Sequence, residues 1–88
     1  MTNQNVEVLK ILIRKVNDRN TLLDDKLLNE IVNNLNNIFK IIGEDKNYRE
    51  LMQFINAAKG YKNIKEREKF KMSILNGLQN SFDRILIT

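Results

Sequence analysis

The chain has no proline, cysteine, histidine or tryptophan, and only three of its 88 residues are glycine. Because proline and glycine are the residues that most often interrupt helices, long helices can form here with few breaks. Histidine and cysteine supply the commonest general base, the commonest nucleophile and the best zinc ligands, so their absence argues against most enzymes. We therefore expect a small helical protein with no catalytic residues, no metal and no cofactor.

A chain of 88 residues suffices for one domain with a modest core, and it has neither disulfides nor a zinc site to support it. Its stability must come from well-patterned helices or from self-association. No apolar run approaches the roughly 18–20 residues that span a bilayer. The polar, uncharged residues at 1–5 do not have the character of a secretory signal. We expect a cytoplasmic protein.

Apolar residues recur at helical spacing in four segments, which predicts helices over about 5–17, 22–42, 46–59 and 64–85. The second segment is the clearest, because its apolar residues follow one face and Gly43 ends it. Short connections between all four segments favour antiparallel neighbours. The prediction is an all-α, antiparallel (up-down-up-down) four-helix bundle that occupies residues 1–88 as one domain. The alternative is three helices, with the first two segments arranged as an intertwined dimer.

Three small residues, Ser73, Gly77 and Ser81, are spaced four apart on the fourth segment. A glycine inside a helix costs about 1 kcal/mol relative to alanine, so Gly77 requires a packing reason. We favour a close internal helix crossing, against Ala57 and Ala58 of the third segment. The functional alternative is a groove that docks a helix of a partner.

The sequence ends with apolar residues at positions 85–87, which is unusual if they are left in water. They either complete the core, which we favour, or cover a second copy of the chain. Together with the row of small residues they form the candidate partner-binding set. This set is Ser73, Gly77, Ser81, Ile85 and Ile87.

Positive charge is concentrated between residues 59 and 71, which contain six basic and two acidic residues, whereas the remainder has nine of each. Such a stretch suits an acidic protein surface, phosphates or anionic lipid. It is a poor nucleic-acid signature, because two glutamates interrupt it and it has only one arginine. The simplest interpretation is a solvated face. The basic residues are Lys59, Lys62, Lys65, Arg67, Lys69 and Lys71.

Carboxylates occur in adjacent pairs at two predicted helix starts, Asp24-Asp25 and Glu44-Asp45. Helix capping explains both pairs, and neighbouring residues on a helix point about 100° apart, which makes a shared metal ion difficult. A helix-turn-helix motif across Gly43 would present acidic groups to phosphate. The only two serines have no base spaced to activate them, so the sequence does not indicate an enzyme.

These observations indicate a non-catalytic protein that binds another macromolecule, with a protein as the favoured partner. Small helical bundles without cysteine are common among bacterial and phage regulators, inhibitors and bacteriocin immunity proteins. The four-segment layout resembles the immunity proteins in its architecture. The alternative is a nucleic-acid-associated protein that uses the stretch 59–71, and a third hypothesis is a self-assembling structural component. A homodimer is therefore also an open alternative.

Overall fold

The computed structural model describes residues 3–87, with side chains described for residues 4–86. It contains four α-helices and one 3-10 helix, and the described residues include no strand. The predicted all-α class is therefore confirmed. The elements in chain order are α1 (Asn3–Asn17), α2 (Asp25–Ile42), α3 (Lys46–Lys59), the 3-10 helix (Ile64–Phe70) and α4 (Lys71–Ile87).

The four α-helices form a closed ring in which each helix packs against the next and α4 packs against α1. The diagonal pairs, α1 with α3 and α2 with α4, do not come into backbone contact. The molecule is elongated, with extents of 37 × 23 × 18 Å. This is the up-down-up-down bundle that the short connections predict, and one chain supplies all four helices. The connections 18–24 and 60–63 lie at one end, and the connection 43–45 lies at the other.

Asp24 and Asp45 are the N-cap residues of α2 and α3, as the sequence indicates. The carboxylate of Asp24 accepts a hydrogen bond of 2.8 Å from the main-chain N–H of Leu27, and Asp45 accepts one of 2.8 Å from that of Tyr48. These contacts satisfy N–H groups that have no partner within the helix. Gly43 ends α2 with a φ of 91°, a conformation that glycine adopts without a steric penalty. The second helix begins at Asp25, later than the predicted 22, because Leu23 turns into the core from the preceding connection.

The predicted fourth helix is divided, because its first seven residues form the 3-10 helix. A 3-10 helix has three residues per turn, so Ile64, Arg67 and Phe70 line up on one side of it. Phe70 packs against the core, and Arg67 is buried. At the start of the 3-10 helix, the side-chain oxygen of Asn63 accepts a hydrogen bond of 3.0 Å from the main-chain N–H of Lys65. Arg67 therefore lies on the inner side of the 3-10 helix, together with Phe70.

The core follows the apolar stripes predicted for the helices. Leu35 is completely buried, whereas Phe82 is only partly buried and packs at the edge of the core. The exposed face of α2 carries the polar residues Asn29, Asn33, Asn36, Asn37 and Lys40. The largest fully enclosed side chains are Leu9, Leu12, Leu23, Leu28, Ile31, Leu35, Ile38, Phe39, Leu51, Ile55, Ile74 and Leu78.

Candidate partner-binding surface

The structure divides the six basic residues of the stretch 59–71 into two groups. Arg67 and Lys71 are buried, with only 4% and 7% of their surface exposed. The other four are exposed to solvent. Sequence reasoning placed all six on one solvated face, so it missed the structural role of the two buried cations. The exposed group consists of Lys59, Lys62, Lys65 and Lys69.

The guanidinium of Arg67 joins three parts of the chain. Its Nε donates a hydrogen bond of 2.8 Å to the carbonyl oxygen of Tyr61, and its Nη1 donates one of 2.9 Å to the carbonyl oxygen of Leu23. The same Nη1 lies 2.9 Å from the carboxylate of Asp25. A planar group with five donors suits such a position, because buried carbonyl oxygens need a partner. Arg67 therefore ties the turn after α3 to the connection between α1 and α2.

The ammonium of Lys71 binds the same connection between α1 and α2. Its Nζ donates hydrogen bonds of 2.6 and 2.7 Å to the carbonyl oxygens of Asp18 and Thr21. The carboxylate of Glu68 lies 3.7 Å away and supplies a compensating charge. Lys71 and Arg67 thus both act as internal supports for residues 18–24. Neither presents its charge to a partner in this conformation.

These contacts bring the connection 18–24 beside residues 59–71. We call residues 14–26, which are this connection with the adjoining ends of α1 and α2, and residues 59–71 together the basic end. Residues 14–26 have four basic and three acidic residues, so the basic end has ten basic and five acidic residues in total. The rest of the chain has five basic and six acidic residues. The positive excess of the protein therefore lies at one end of the bundle. This grouping depends on the antiparallel arrangement of the helices.

An aromatic pair supports the turn within the basic end. The rings of Tyr61 and Phe70 have centroids 5.6 Å apart, and the Nζ of Lys69 lies 3.9 Å from the centre of the Tyr61 ring. The same ammonium donates a hydrogen bond of 2.8 Å to the hydroxyl of Tyr61. Lys69 is therefore held in place, and it contributes its charge from a defined position.

The row of small residues on α4 lies in an internal crossing with α3. A Cβ atom added at Gly77 would meet Cδ1 of Leu51 at 2.7 Å, which is closer than packed carbon atoms approach. The hydroxyl of Ser81 is buried, donates to the carbonyl oxygen of Gly77 at 2.9 Å and accepts from Asn47 at 3.3 Å. Gly77 thus allows α3 to approach closely, as an internal crossing requires.

The residue opposite Gly77 is Leu51, which corrects the expectation of Ala57 and Ala58. The antiparallel register explains the difference. Ser81 contacts Asn47, and the two helices run in opposite directions. Gly77, four residues before Ser81, therefore lies opposite Leu51, four residues after Asn47. The alanines lie further along α3, where Ala58 enters the core and Ala57 is exposed.

The outer side of the same crossing is a shallow groove of about 190 Å³ between α3 and α4. Ser73 and Gly77 line it together with Phe54, which is exposed on its α3 side. Ile85 is buried and does not reach this groove, and the side chain of Ile87 lies outside the described residues. Of the four members whose side chains are described, Ser73 and Gly77 line this groove, whereas Ser81 and Ile85 are buried.

No cluster of three or more carboxylates that could hold a metal ion occurs in residues 3–87. Among the helices described, none combines the length and the apolar character needed to cross a membrane. The pKa of Tyr48 is raised, mainly because burial disfavours its charged form and secondarily because of the negative charge of Glu44. Its hydroxyl donates a hydrogen bond of 2.8 Å to the side-chain oxygen of Asn36. This contact ties α3 to α2 and has a structural role.

Comparisons with models of protein families, with curated proteins and with solved structures gave no significant match.

Proposed function

We propose that this protein is a non-catalytic helical binding protein that acts by protein–protein interaction, of the regulator, inhibitor or immunity type. The observation that carries the proposal is the separation of charge, since the basic end holds the whole positive excess of the chain. Charge of one sign at one end of a small domain steers an oppositely charged partner and accelerates its encounter. The partner is a protein with an acidic surface.

A protein partner is favoured over nucleic acid by the composition of the exposed surface. The single arginine of the stretch 59–71 is buried, and Glu66 and Glu68 are exposed between the lysines. Carboxylates at these positions interrupt the continuous strip of positive charge that a phosphate backbone requires. Leu22 and Met72 are exposed apolar residues at the same end. Apolar side chains among charges of both signs are typical of surfaces that bind proteins.

The proposal is tested with defined probes of equal net negative charge. One is a designed acidic helical peptide with glutamates on one face and leucines at helical spacing on the other, and the second is a short DNA duplex. Fluorescence anisotropy of each labelled probe is measured at several salt concentrations. We expect the peptide to bind more tightly than the duplex. Tighter binding of the duplex, with the steep salt dependence of phosphate contacts, would support the nucleic-acid alternative and overturn the proposal.

The variant that tests the surface reverses three exposed lysines, Lys62→Glu, Lys65→Glu and Lys69→Glu. Its matched control reverses Lys40, Lys46 and Arg49, three exposed cations near the opposite end, so both variants change the net charge equally. We expect the first variant to lose peptide binding and the control to keep most of it. Equal losses in both would show that net charge alone attracts the peptide. Sedimentation at two concentrations identifies self-assembly, the third hypothesis.

A further inference from the structure

Tyr61 is held in place through both polar groups of its main chain. Its N–H donates a hydrogen bond of 3.1 Å to the carbonyl oxygen of Ala58, and its carbonyl oxygen accepts one of 2.8 Å from Nε of Arg67. Arg67 is itself buried. The half-buried ring of Tyr61 packs against the ring of Phe70. The fold therefore fixes where the Tyr61 hydroxyl lies.

The Tyr61 hydroxyl and the Lys69 ammonium form a pair of adjacent hydrogen-bond donors. Nζ of Lys69 donates a hydrogen bond of 2.8 Å to the hydroxyl oxygen, in a contact that is exposed to solvent. Because the hydroxyl accepts in this contact, its own proton is available to a further acceptor, and the ammonium has two more protons. Among the residues whose side chains are described, no carboxylate lies within ion-pair distance of this ammonium.

The chain on both sides of this pair is basic. Residues 59–65 contain three exposed lysines and no carboxylate. The 3-10 helix contributes two carboxylates, of which Glu68 lies 3.7 Å from the ammonium of Lys71. The other, Glu66, is exposed one turn before Lys69. Lys69 and the three lysines of 59–65 therefore outnumber Glu66 by four to one, so the local charge favours an anionic ligand.

The neighbouring range 14–26 does not reverse this charge, since it has four basic and three acidic residues. Each of its carboxylates also has a partner within the protein. Asp25 lies 2.9 Å from Nη1 of Arg67. Asp18 and Asp24 accept hydrogen bonds from main-chain N–H groups of their own connection.

We infer that Tyr61 and Lys69 together bind a carboxylate of the acidic protein partner. The inference rests on the proposed function and specifies its central contact. An ionised Asp or Glu side chain has two acceptor oxygens, which match the two donors that this pair presents side by side. Hydrogen bonds to a charged group are about twice as strong as neutral ones. The surrounding lysines attract the acidic surface, and the pair fixes its position.

The order already present in this pair favours binding. A lysine on a free surface must give up side-chain freedom when a partner binds, and this lowers the affinity. Here the hydroxyl and the ring of Tyr61 hold the Lys69 ammonium in the free protein. Tyrosine is also among the residues that most often dominate the energy of interfaces.

The first test removes the hydroxyl alone. Tyr61→Phe keeps the ring that packs against Phe70, and the matched control Tyr48→Phe removes the hydroxyl of the other tyrosine. Both are titrated with the labelled acidic peptide described above. We expect Tyr61→Phe to bind it about fivefold more weakly than wild type and Tyr48→Phe to stay within about twofold. Equal affinities of the two variants would overturn the inference.

The second test asks whether Lys69 acts with Tyr61 or only adds charge. Lys69→Gln and the control Lys59→Gln each remove one positive charge from an exposed position. We expect about fivefold weaker binding for Lys69→Gln and at most about twofold for Lys59→Gln. The double variant Tyr61→Phe/Lys69→Gln should lose no more than about tenfold, because both groups bind one carboxylate. A loss of about 25-fold, the product of two independent effects, would contradict a shared contact.

A third measurement uses the fluorescence of Tyr61 itself. The chain has two tyrosines and no tryptophan, so Tyr48→Phe leaves Tyr61 as the only strongly emitting residue. The acidic peptide, without a label, has no aromatic residue. We expect it to change the emission of this variant with the midpoint that anisotropy gives. Emission that stays constant at saturating peptide would show that the peptide binds away from Tyr61.

The outcomes separate this inference from the proposed function. If the three lysine reversals abolish peptide binding while Tyr61→Phe and Lys69→Gln behave like their controls, the carboxylate site is wrong and the proposed function stands. If the reversals have no effect either, both are wrong. If Tyr61→Phe weakens binding of the DNA duplex more than binding of the peptide, the pair binds phosphate and the inference is overturned.

Discussion

Arg67 donates a hydrogen bond of 2.9 Å to the carbonyl oxygen of Leu23, although the two residues are 44 positions apart in the sequence. This contact joins the two connections at the basic end of the bundle. Replacing Arg67 by methionine keeps an apolar stem but leaves the carbonyl oxygens of Leu23 and Tyr61 without their donor. Because hydrogen bonds to charged groups contribute about 1.5–3 kcal/mol each, we expect a loss of about 3 kcal/mol in the free energy of unfolding. Urea denaturation measures it.

The matched control for this variant is Lys65→Met, which removes a charge from an exposed position two residues earlier. It should change the free energy of unfolding by no more than about 0.5 kcal/mol. Equal effects of the two substitutions would mean that Arg67 is not the structural cation that its contacts indicate.

A large side chain at Gly77 is expected to be destabilising, because Leu51 occupies the space beside it. Gly77→Leu should destabilise the isolated protein by about 1–3 kcal/mol through overpacking. Asn76→Leu, which places the same side chain at an exposed neighbouring position, should be nearly neutral. Thermal melts at two protein concentrations provide the measurement. A concentration-dependent loss confined to Gly77→Leu would instead indicate an interface between chains.

Leu35 and Phe82 should differ in their contributions to stability, since the first is fully enclosed and the second lies at the edge of the core. Leu35→Ala should lower the free energy of unfolding by about 2–5 kcal/mol, because it leaves a cavity that the neighbouring helices cannot fill. Phe82→Ala should lower the free energy of unfolding by less than truncation of a fully buried aromatic residue does. Guanidinium denaturation of both variants tests the order, and a larger loss for Phe82→Ala would contradict it.

Tyr48 should make stability depend on alkaline pH. Its pKa is raised in the folded state, so the folded protein holds the phenolic proton more tightly than the unfolded chain, in which tyrosine titrates near pH 10. Its contribution is therefore complete below about pH 10 and is lost as the pH rises through the higher folded pKa. Tyr48→Phe removes this contribution, together with about 1 kcal/mol from the hydrogen bond to Asn36.

The measurement for Tyr48 is the difference in free energy of unfolding between wild type and Tyr48→Phe as a function of pH. We expect this difference to be constant near neutrality and to shrink above about pH 10. A difference that stays constant into the alkaline range would show that burial does not raise the pKa of Tyr48.

The helices were predictable because their signals are local. Apolar periodicity located α1, α2 and α3 to within a few residues, and Asp45 and Gly43 marked boundaries through hydrogen bonds to nearby residues. The 3-10 helix was missed, because a spacing of three residues from Ile64 to Arg67 suits an α-helix equally well. Its geometry depends on what Arg67 contacts once the chain has folded.

The candidate surface was less predictable, since charge counted along a sequence does not distinguish a buried cation from an exposed one. The concentration of lysines at 59–71 was evident, but nothing near Lys71 indicates that its partners are Asp18 and Thr21. Leu22 was predicted within a helix, and two adjacent leucines carry no local signal that one is buried and the other exposed. The register of α3 against α4 was likewise hidden, so the residue opposite Gly77 was misassigned.

The sequence by itself determined the all-α fold class of this protein. The absence of proline and the periodic apolar residues leave few alternatives to helices, and four apolar stripes require a common core. Only the tertiary structure determined which charged side chains are exposed to solvent and which are buried. The antiparallel order of the helices places the connection 18–24 beside residues 59–71. The carbonyl groups of this connection accept hydrogen bonds from Arg67 and Lys71, and both cations are therefore buried. The donors to these carbonyl groups are distant in sequence, because a buried carbonyl oxygen must accept a hydrogen bond from a donor that the fold places beside it.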